Sequence, residues 1–444
     1  MAKTIEQQRI TCAIGALQTV TAIERAAPIL HSGPGCGMMV SRFFERATGY
    51  AGGNTAPCTN FSEKEVVFGG LDKLRKNIEN TYKVLDTDLQ VVLTGCTAAI
   101  VGDDIESVVN EFASEGKPIV HVETAGFTSS NIVAHSKVVN AIIDQFVDSS
   151  YDKTKGKNKR LVNLFASIPY QDQFWKGNLF ELKYLLEGLG LQVNILFGPY
   201  SEGVEEWKTI PQANFNILIS PWFGKEIVKN LEKKYQQQFF EFPYLPIGAN
   251  ETEKFLEGVI AFASGQGAAL DEARAKQFIE RESKAYYAEI DSLATFLTEF
   301  RYGLPSFAHI IGDASYVLGL SKFLLHEVGI VPKEVFVADK TPASQQERVK
   351  EILKTTSDKK EIPLYFTPSG GEAQEIIRGA VHPGRGIILG SGWDKYLAKE
   401  KGYDFLSIEN PSPYRLVLTT GYAGFKGGLR LIEDIYDVVL ASYK

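Results

Sequence analysis

Four cysteines are the residues best placed to do chemistry in this chain of 444, and Cys12, Cys36, Cys58 and Cys96 all lie in its first quarter. A thiolate is a nucleophile, a redox group and a soft metal ligand. A disulfide scaffold would be denser and spread along the chain, and no pair has zinc-finger spacing. Widely separated cysteines within one region suit an iron–sulfur cluster buried between folded elements, because such clusters are held by thiolates. Any one of them alone would read as an ordinary buried thiol packing as a small hydrophobe. The glycine context argues otherwise for the set. Cys36 sits in His31-Ser32-Gly33-Pro34-Gly35-Cys36-Gly37. Gly33, Gly35 and Gly37 remove side-chain bulk there and let backbone amides approach an inorganic group. Cys96 follows the apolar run Leu89–Thr94, at the carboxyl end of a strand where ligands collect in open α/β sheets. Cys12, Cys36 and Cys96 are therefore the candidate metal ligands. Three ligands leave a cluster incomplete unless a partner subunit or Cys58 supplies the rest. Cys58, in Pro57-Cys58-Thr59-Asn60, reads as a plain buried thiol.

The elements that must position these residues alternate strand and helix, the pattern of an α/β fold with parallel sheets. A strand over 89–94 is followed by a helix over 105–113, with Asp103 and Glu106 as a capping-box-like start. A strand over 118–123 and a helix over 132–147 come next. A lysine-rich stretch at 149–160 reads as a linker. The second block has strands at 161–165, 193–197 and 215–220, a helix at 178–186, and a long charged and aromatic helix at 270–300. The third has strands at 308–312, 334–338 and 386–389, with helices at 314–328 and 345–355. Three tandem Rossmann-like domains are expected, over 1–155, 156–300 and 301–444, with the first one binding the cluster. The glycines at 421–428 read as a turn between strand and helix.

Composition narrows the class. With 44% hydrophobic and 23% charged residues the chain has the material for a sizeable core. A net charge of −7 argues against nucleic acid or an anionic membrane as the main partner. The polar amino terminus carries no apolar signal core, and no apolar run reaches bilayer-spanning length, so a cytoplasmic protein is expected. No Gly-x-x-x-x-Gly-Lys-Ser/Thr sequence is present, which excludes ATP hydrolysis through a P-loop of its own.

The order Cys12-x-x-Gly15-Ala16, the Cys36 loop, Phe68-Gly69-Gly70, and Cys96 followed by Gly102-Asp103-Asp104 resembles nitrogenase component 1 proteins. Gly312-Asp313 with Tyr316-Val317-Leu318-Gly319-Leu320 resembles the opening of that family's third domain. Gly421-Tyr422-Ala423-Gly424 resembles the Gly-Tyr-x-Gly turn of its K-type (β) subunits. The resemblance implies that Cys12, Cys36 and Cys96 are the P-cluster ligands of one subunit, with matching cysteines on a D-type (α) chain of a heterotetramer. It further implies an ATP-hydrolysing iron protein, a homodimer, as electron donor, and a catalytic metal cofactor on the partner. The absence of any cysteine after Cys96 agrees, since that cofactor needs a thiolate anchor. Cys12 comes almost at once and the Cys36 loop has a D-like flavour, which favours a divergent nitrogenase-like reductase such as the methylthio-alkane reductases. The alternative role is a scaffold for nitrogenase cofactor assembly; retention of all three cysteines favours the enzyme. A subunit of the protochlorophyllide reductase type fits less well, since those chains lack this three-cysteine pattern. His31 and Ser32 either tune the cluster environment or cap local backbone. His309, His326 and His382 read as structural or surface histidines.

Overall fold

The computed structural model describes residues 4–45, 56–151, 154, 156–300, 303–357 and 361–442. Within them the chain builds three parallel sheets, each from its own stretch of sequence, with helices packed on the faces. The first sheet has the order β1 (Ala26–His31), β2 (Leu89–Thr94), β3 (Ile119–Glu123). The second comprises β4 (Asn158–Phe165), β5 (Gln192–Asn194), β6 (Ala213–Ile219) and β7 (Phe239–Phe242), in the order β5-β4-β6-β7. The third holds β8 (Phe307–Gly312), β9 (Val331–Val337), β10 (Leu364–Phe366), β11 (Gly386–Ser391) and β12 (Asp404–Glu409), ordered β10-β9-β8-β11-β12. Central strands such as β2, β8 and β11 are buried along their whole length. That is why they read as continuous apolar runs and not as alternating ones.

Several elements depart from the sequence reading. The predicted strand at 193–197 stops at Asn194, because Leu196 adopts φ 64° and the Ile195 N–H donates to the Glu206 carboxylate at 2.9 Å. The strand Ala26–His31 goes beyond the reading, since Pro28 in its middle disguises it. A proline is tolerable there because β1 is an edge strand. Asp104, and not Asp103, caps the helix Ile105–Ser114, accepting from the Ser107 N–H at 3.1 Å. Asp103 is engaged elsewhere. The predicted linker is shorter than expected, since β4 already begins at Asn158; residues 152, 153 and 155 of it lie outside the described residues.

The chain ends cross between the sheets. Arg9 reaches the third sheet, where it pairs with Asp394; the side chains are 1% and 0% exposed. The carboxyl-terminal helix Gly424–Ala441 packs against the helices Trp175–Gly188 and Gly248–Gly265 beside the second sheet. Glycines make that approach possible. A Cβ on Gly421 would lie 2.5 Å from the Gly177 carbonyl carbon, and one on Gly428 2.6 Å from Gly248 Cα. Asn178 Oδ1 then accepts from the Tyr422 and Ala423 N–H groups, at 2.8 and 3.0 Å. The glycines at 421–428 are thus packing devices as well as a turn.

Candidate functional site

Three loops at the carboxyl ends of the first sheet carry the cysteines. Cys12 precedes the short 3-10 helix Ala13–Ala16, and its neighbour Thr11 is pinned to Asn131 by two hydrogen bonds of 3.1 Å, one through the Asn131 side chain and one through its N–H. The loop after β1 leads into the helix Pro34–Glu45, with Pro34 at its first position, where a missing N–H costs nothing. Cys36 therefore lies in a first turn whose amides lack intrahelical partners. Cys96 opens the helix Cys96–Val101 directly after β2 and Gly95. A side chain on Gly95 would collide with Ser32, so the glycine is what lets the Cys36 and Cys96 loops come together.

The Cys12 and Cys96 loops converge on Gly126, just past β3. A Cβ there would sit 2.9 Å from Cys12 Sγ and 3.2 Å from Cys96 Sγ, and the Gly126 N–H donates to Cys96 Sγ at 3.0 Å. Ser32 Oγ is 3.9 Å from Cys36 Sγ. Although Cys12 is exposed at the surface, partial desolvation of its sulfur, followed by the charges of Cys96 and Cys36, pushes the thiol above its ordinary value against the opposing Ile14 N–H. A bound cation would reverse that balance. The donor set and the glycine cradle fit an iron–sulfur cluster, with a backbone amide already aimed at a ligand sulfur. Sequence reasoning passed over Gly126. Its signal was available, a glycine immediately after a strand end beside the ligand loops, but nothing in the sequence ties it to Cys12.

The other predicted residues divide. Among the described residues a Cβ on Gly33 or Gly35 would meet nothing within 4 Å, whereas one on Gly37 would press on Leu30 at 3.3 Å. Cys58 lies on a segment bridged to the edge of β1; its Sγ donates to the Ser32 carbonyl at 3.3 Å and accepts from the Asn60 N–H at 3.4 Å. Burial raises this thiol, and the neighbouring Cys36 adds to the effect. His31 is buried, its Nε2 3.0 Å from Asp103 Oδ2. Burial pushes its imidazole down, opposed by Asp103. Asp103 also accepts from the Gly70 N–H at 2.9 Å, and Phe61 packs edge-on against His31 at 4.9 Å. The Phe68-Gly69-Gly70 and Gly102-Asp103-Asp104 motifs thus fold into a brace behind the Cys36 loop.

A second feature lies where the sheets meet. Asp172, Asp313 and Asp339 line a cavity of about 20 Å³ with Tyr316 and Gln171, room for about one water. Burial, then the charges of Asp339 and Asp172, pushes the Asp313 carboxyl up to about 8. Asp339 and Glu409 are likewise raised by burial. A raised carboxyl holds a proton in the folded state that the unfolded chain has released. Its stabilising effect is complete below the ordinary value and is lost as pH climbs through about 8. Asp313→Asn keeps the cap on the Tyr316 N–H, since asparagine caps as well as aspartate. It should add about 1–3 kcal/mol at pH 8 and flatten the slope of stability between pH 5 and 8, read by thermal melting. An unchanged slope would remove Asp313 from that role.

Comparison with known proteins places this geometry in context. Residues 11–440 match the family model described as Nitrogenase component 1 type Oxidoreductase. The chain is 23% identical to the nitrogenase molybdenum-iron protein beta chain of Clostridium pasteurianum, over 96% of this chain and 91% of that one. It is 25% identical to the corresponding beta chain of Azotobacter vinelandii, over 75% of this chain and 64% of that one. Among solved structures, one titled "Nitrogenase Cp1 at pH 6.5" superposes with a TM-score of 0.79 at 20% identity, covering 100% of this chain and 94% of its own. The shared fold is three sheets of parallel strands with flanking helices. Among the described residues, no helix is long and apolar enough to cross a membrane.

Proposed function

From the premise that this chain belongs to the nitrogenase component 1 type oxidoreductases as a β-type subunit, we propose that it is the electron-relay subunit of a nitrogenase-like reductase. In this reading Cys12, Cys36 and Cys96 hold its share of a P-cluster-type iron–sulfur cluster, completed by a D-type (α) chain in a heterotetramer. Electrons come from an ATP-hydrolysing iron protein, and the substrate-reducing metal cofactor belongs to the partner. N2 or another small molecule such as a methylthio-alkane is the substrate. When bound, such a cluster supplies one-electron storage at a potential set by burial and by hydrogen bonds to its sulfurs.

The observation that carries the reading is the convergence of the Cys12 and Cys96 sulfurs on the bare Cα of Gly126. The Gly126 amide donates to the Cys96 sulfur. The Asn131 pair fixes the Cys12 loop, and the His31–Asp103–Gly70 brace fixes the backbone from which Cys36 hangs. A partner chain is supported by apolar side chains left in solvent on these same segments. Met39, Val67, Phe68, Ile100 and Phe127 are each between 65% and 81% exposed. Apolar exposure gathered around a ligand set marks a surface that is covered in the assembly.

The test is iron and acid-labile sulfide content of the complex, purified without oxygen together with its D-type chain, for wild type and Cys96→Ala. Iron enough for a double cluster, falling in the variant, supports the relay role, and molybdenum or vanadium in the complex fixes the cofactor type. A single small cluster would point to an assembly scaffold. Iron unaffected by Cys96→Ala would overturn the ligand assignment.

A further inference from the structure

The third sheet gathers a second set of ligating side chains, far in the sequence from the cysteines and unused by the relay role. His309 stands within β8, Glu334 within β9, and His382 on the loop after the helix Gly370–Gly379. One ligand atom from each lies within 4.8 Å of the other two. Glu334 is the hub: its Oε2 is 2.9 Å from His382 Nε2 and 3.1 Å from His309 Nδ1. His309 is 0% exposed, and among the described residues its ring nitrogens find no polar partner besides Glu334. The Glu334 contact is close without having hydrogen-bond geometry. A buried imidazole with a single polar neighbour gives up much of the free energy of its solvation, which a bound metal ion would return.

We propose that His309, Glu334 and His382 form a zinc site, with two imidazole nitrogens and one carboxylate oxygen on the ion and water in the fourth position. The donor set is one that zinc takes in tetrahedral geometry. With bonds of about 2.0–2.1 Å, neighbouring ligand atoms stand about 3.4 Å apart. The contacts to Glu334 need only open slightly to reach that. The two imidazole rings, 5.7 Å apart between centroids, already flank the carboxylate. Phe307 packs edge-on against both, at 5.6 and 5.1 Å, and Tyr403 stacks on His309 at 5.9 Å. These walls hold the rings in place. The ion has a way in, because His382 and Glu334 keep 19% and 14% of their side chains exposed. The loop bearing His382 is itself held, with Lys401 Nζ donating to the Ala380 carbonyl at 2.8 Å. Bound there, zinc clamps β8, β9 and the 380–385 loop together and stabilises the folded state in proportion to its concentration.

The full-length chain, stripped with chelator and titrated with zinc sulfate alone, tests this by calorimetry, elemental analysis and thermal melting. One zinc per chain is expected, with a rise in melting temperature. Affinity should fall at least about tenfold in both His382→Ala and Glu334→Gln, and stay unchanged in Cys96→Ala. His382 is on a surface loop, and His382→Gln gives a second variant of similar size should the alanine form fold poorly. Zinc lost in Cys96→Ala but kept in His382→Ala would move the ion to the cysteines and overturn the proposal, as would failure to bind at 100 micromolar, roughly the level at which a useful site must be filled.

Discussion

Gly126→Ala is expected to strip the cysteine face of iron while leaving the fold intact. Its Cβ would stand 2.9 Å from Cys12 Sγ and 3.2 Å from Cys96 Sγ, inside the space that ligand sulfurs and a cluster share. Gly126 is not among the residues with positive φ, so alanine meets no backbone strain and the cost is confined to the site. Folding stability should therefore change by less than about 1 kcal/mol. Iron per chain should drop about tenfold or more, as when the surroundings of a metal ligand are disturbed. Melting and iron analysis on one anaerobic preparation read both quantities, and wild-type iron in the variant would sink the cradle. Gly33→Ala is the informative contrast. Its Cβ meets nothing within 4 Å among the described residues, so a loss of iron there would point to what lies across the cysteine face, cluster or partner.

The motifs that made the sequence legible divide into proposed ligands and scaffolding, and only the cysteines announce themselves. Cys96 could be placed because it follows a strand and Cys36 because of its glycine context; β1 and β2 run in register with His31 opposite Thr94. That register delivers the two loops to the same sheet end. The glycine pairs were harder. A Cβ on Gly70 would collide with the Phe61 ring and lie 3.0 Å from Asp103 Oδ2, so this glycine admits both the ring and the aspartate that hold His31. His31 and Asp103 are far apart in sequence, and no local pattern pairs them. The same limit hid Gly126, whose meaning depends on Cys12, and the His309–Glu334–His382 set, which needs two strands and a loop to assemble. Strand and helix order is written in local hydrophobicity; the site is written in contacts between segments distant along the chain, which a single sequence does not record.

Asp394→Ala is expected to destabilise the protein by about 3–5 kcal/mol, because it leaves the buried Arg9 guanidinium without its ion-pair partner. Asp394 answers several donors at once. Oδ2 accepts from Arg9 at 2.5 Å and from the Ser391 N–H at 2.8 Å, and Oδ1 accepts from Gln374 Nε2 at 3.1 Å. Arg9 also donates to Ser391 Oγ at 3.2 Å. Asp394→Asn keeps acceptor oxygen and bulk but not charge, and should cost less than alanine. Replacing both partners, as Arg9→Met with Asp394→Leu, should recover part of the loss, because a well-packed apolar pair avoids the desolvation that the ion pair suffers. Denaturant unfolding of the four proteins checks the order, and a double variant no more stable than Asp394→Ala would show that the hydrogen bonds matter more than the charges. The consequence reaches the metal site. Arg9 lies just before Cys12, and the Gln171 side chain holds its carbonyl at 3.3 Å, so the ion pair anchors one end of the segment that presents a ligand. Iron bound by Asp394→Ala at low temperature, where it still folds, should accordingly fall with the anchor; full wild-type iron in that variant would show that the Asn131 contacts alone suffice to place Cys12.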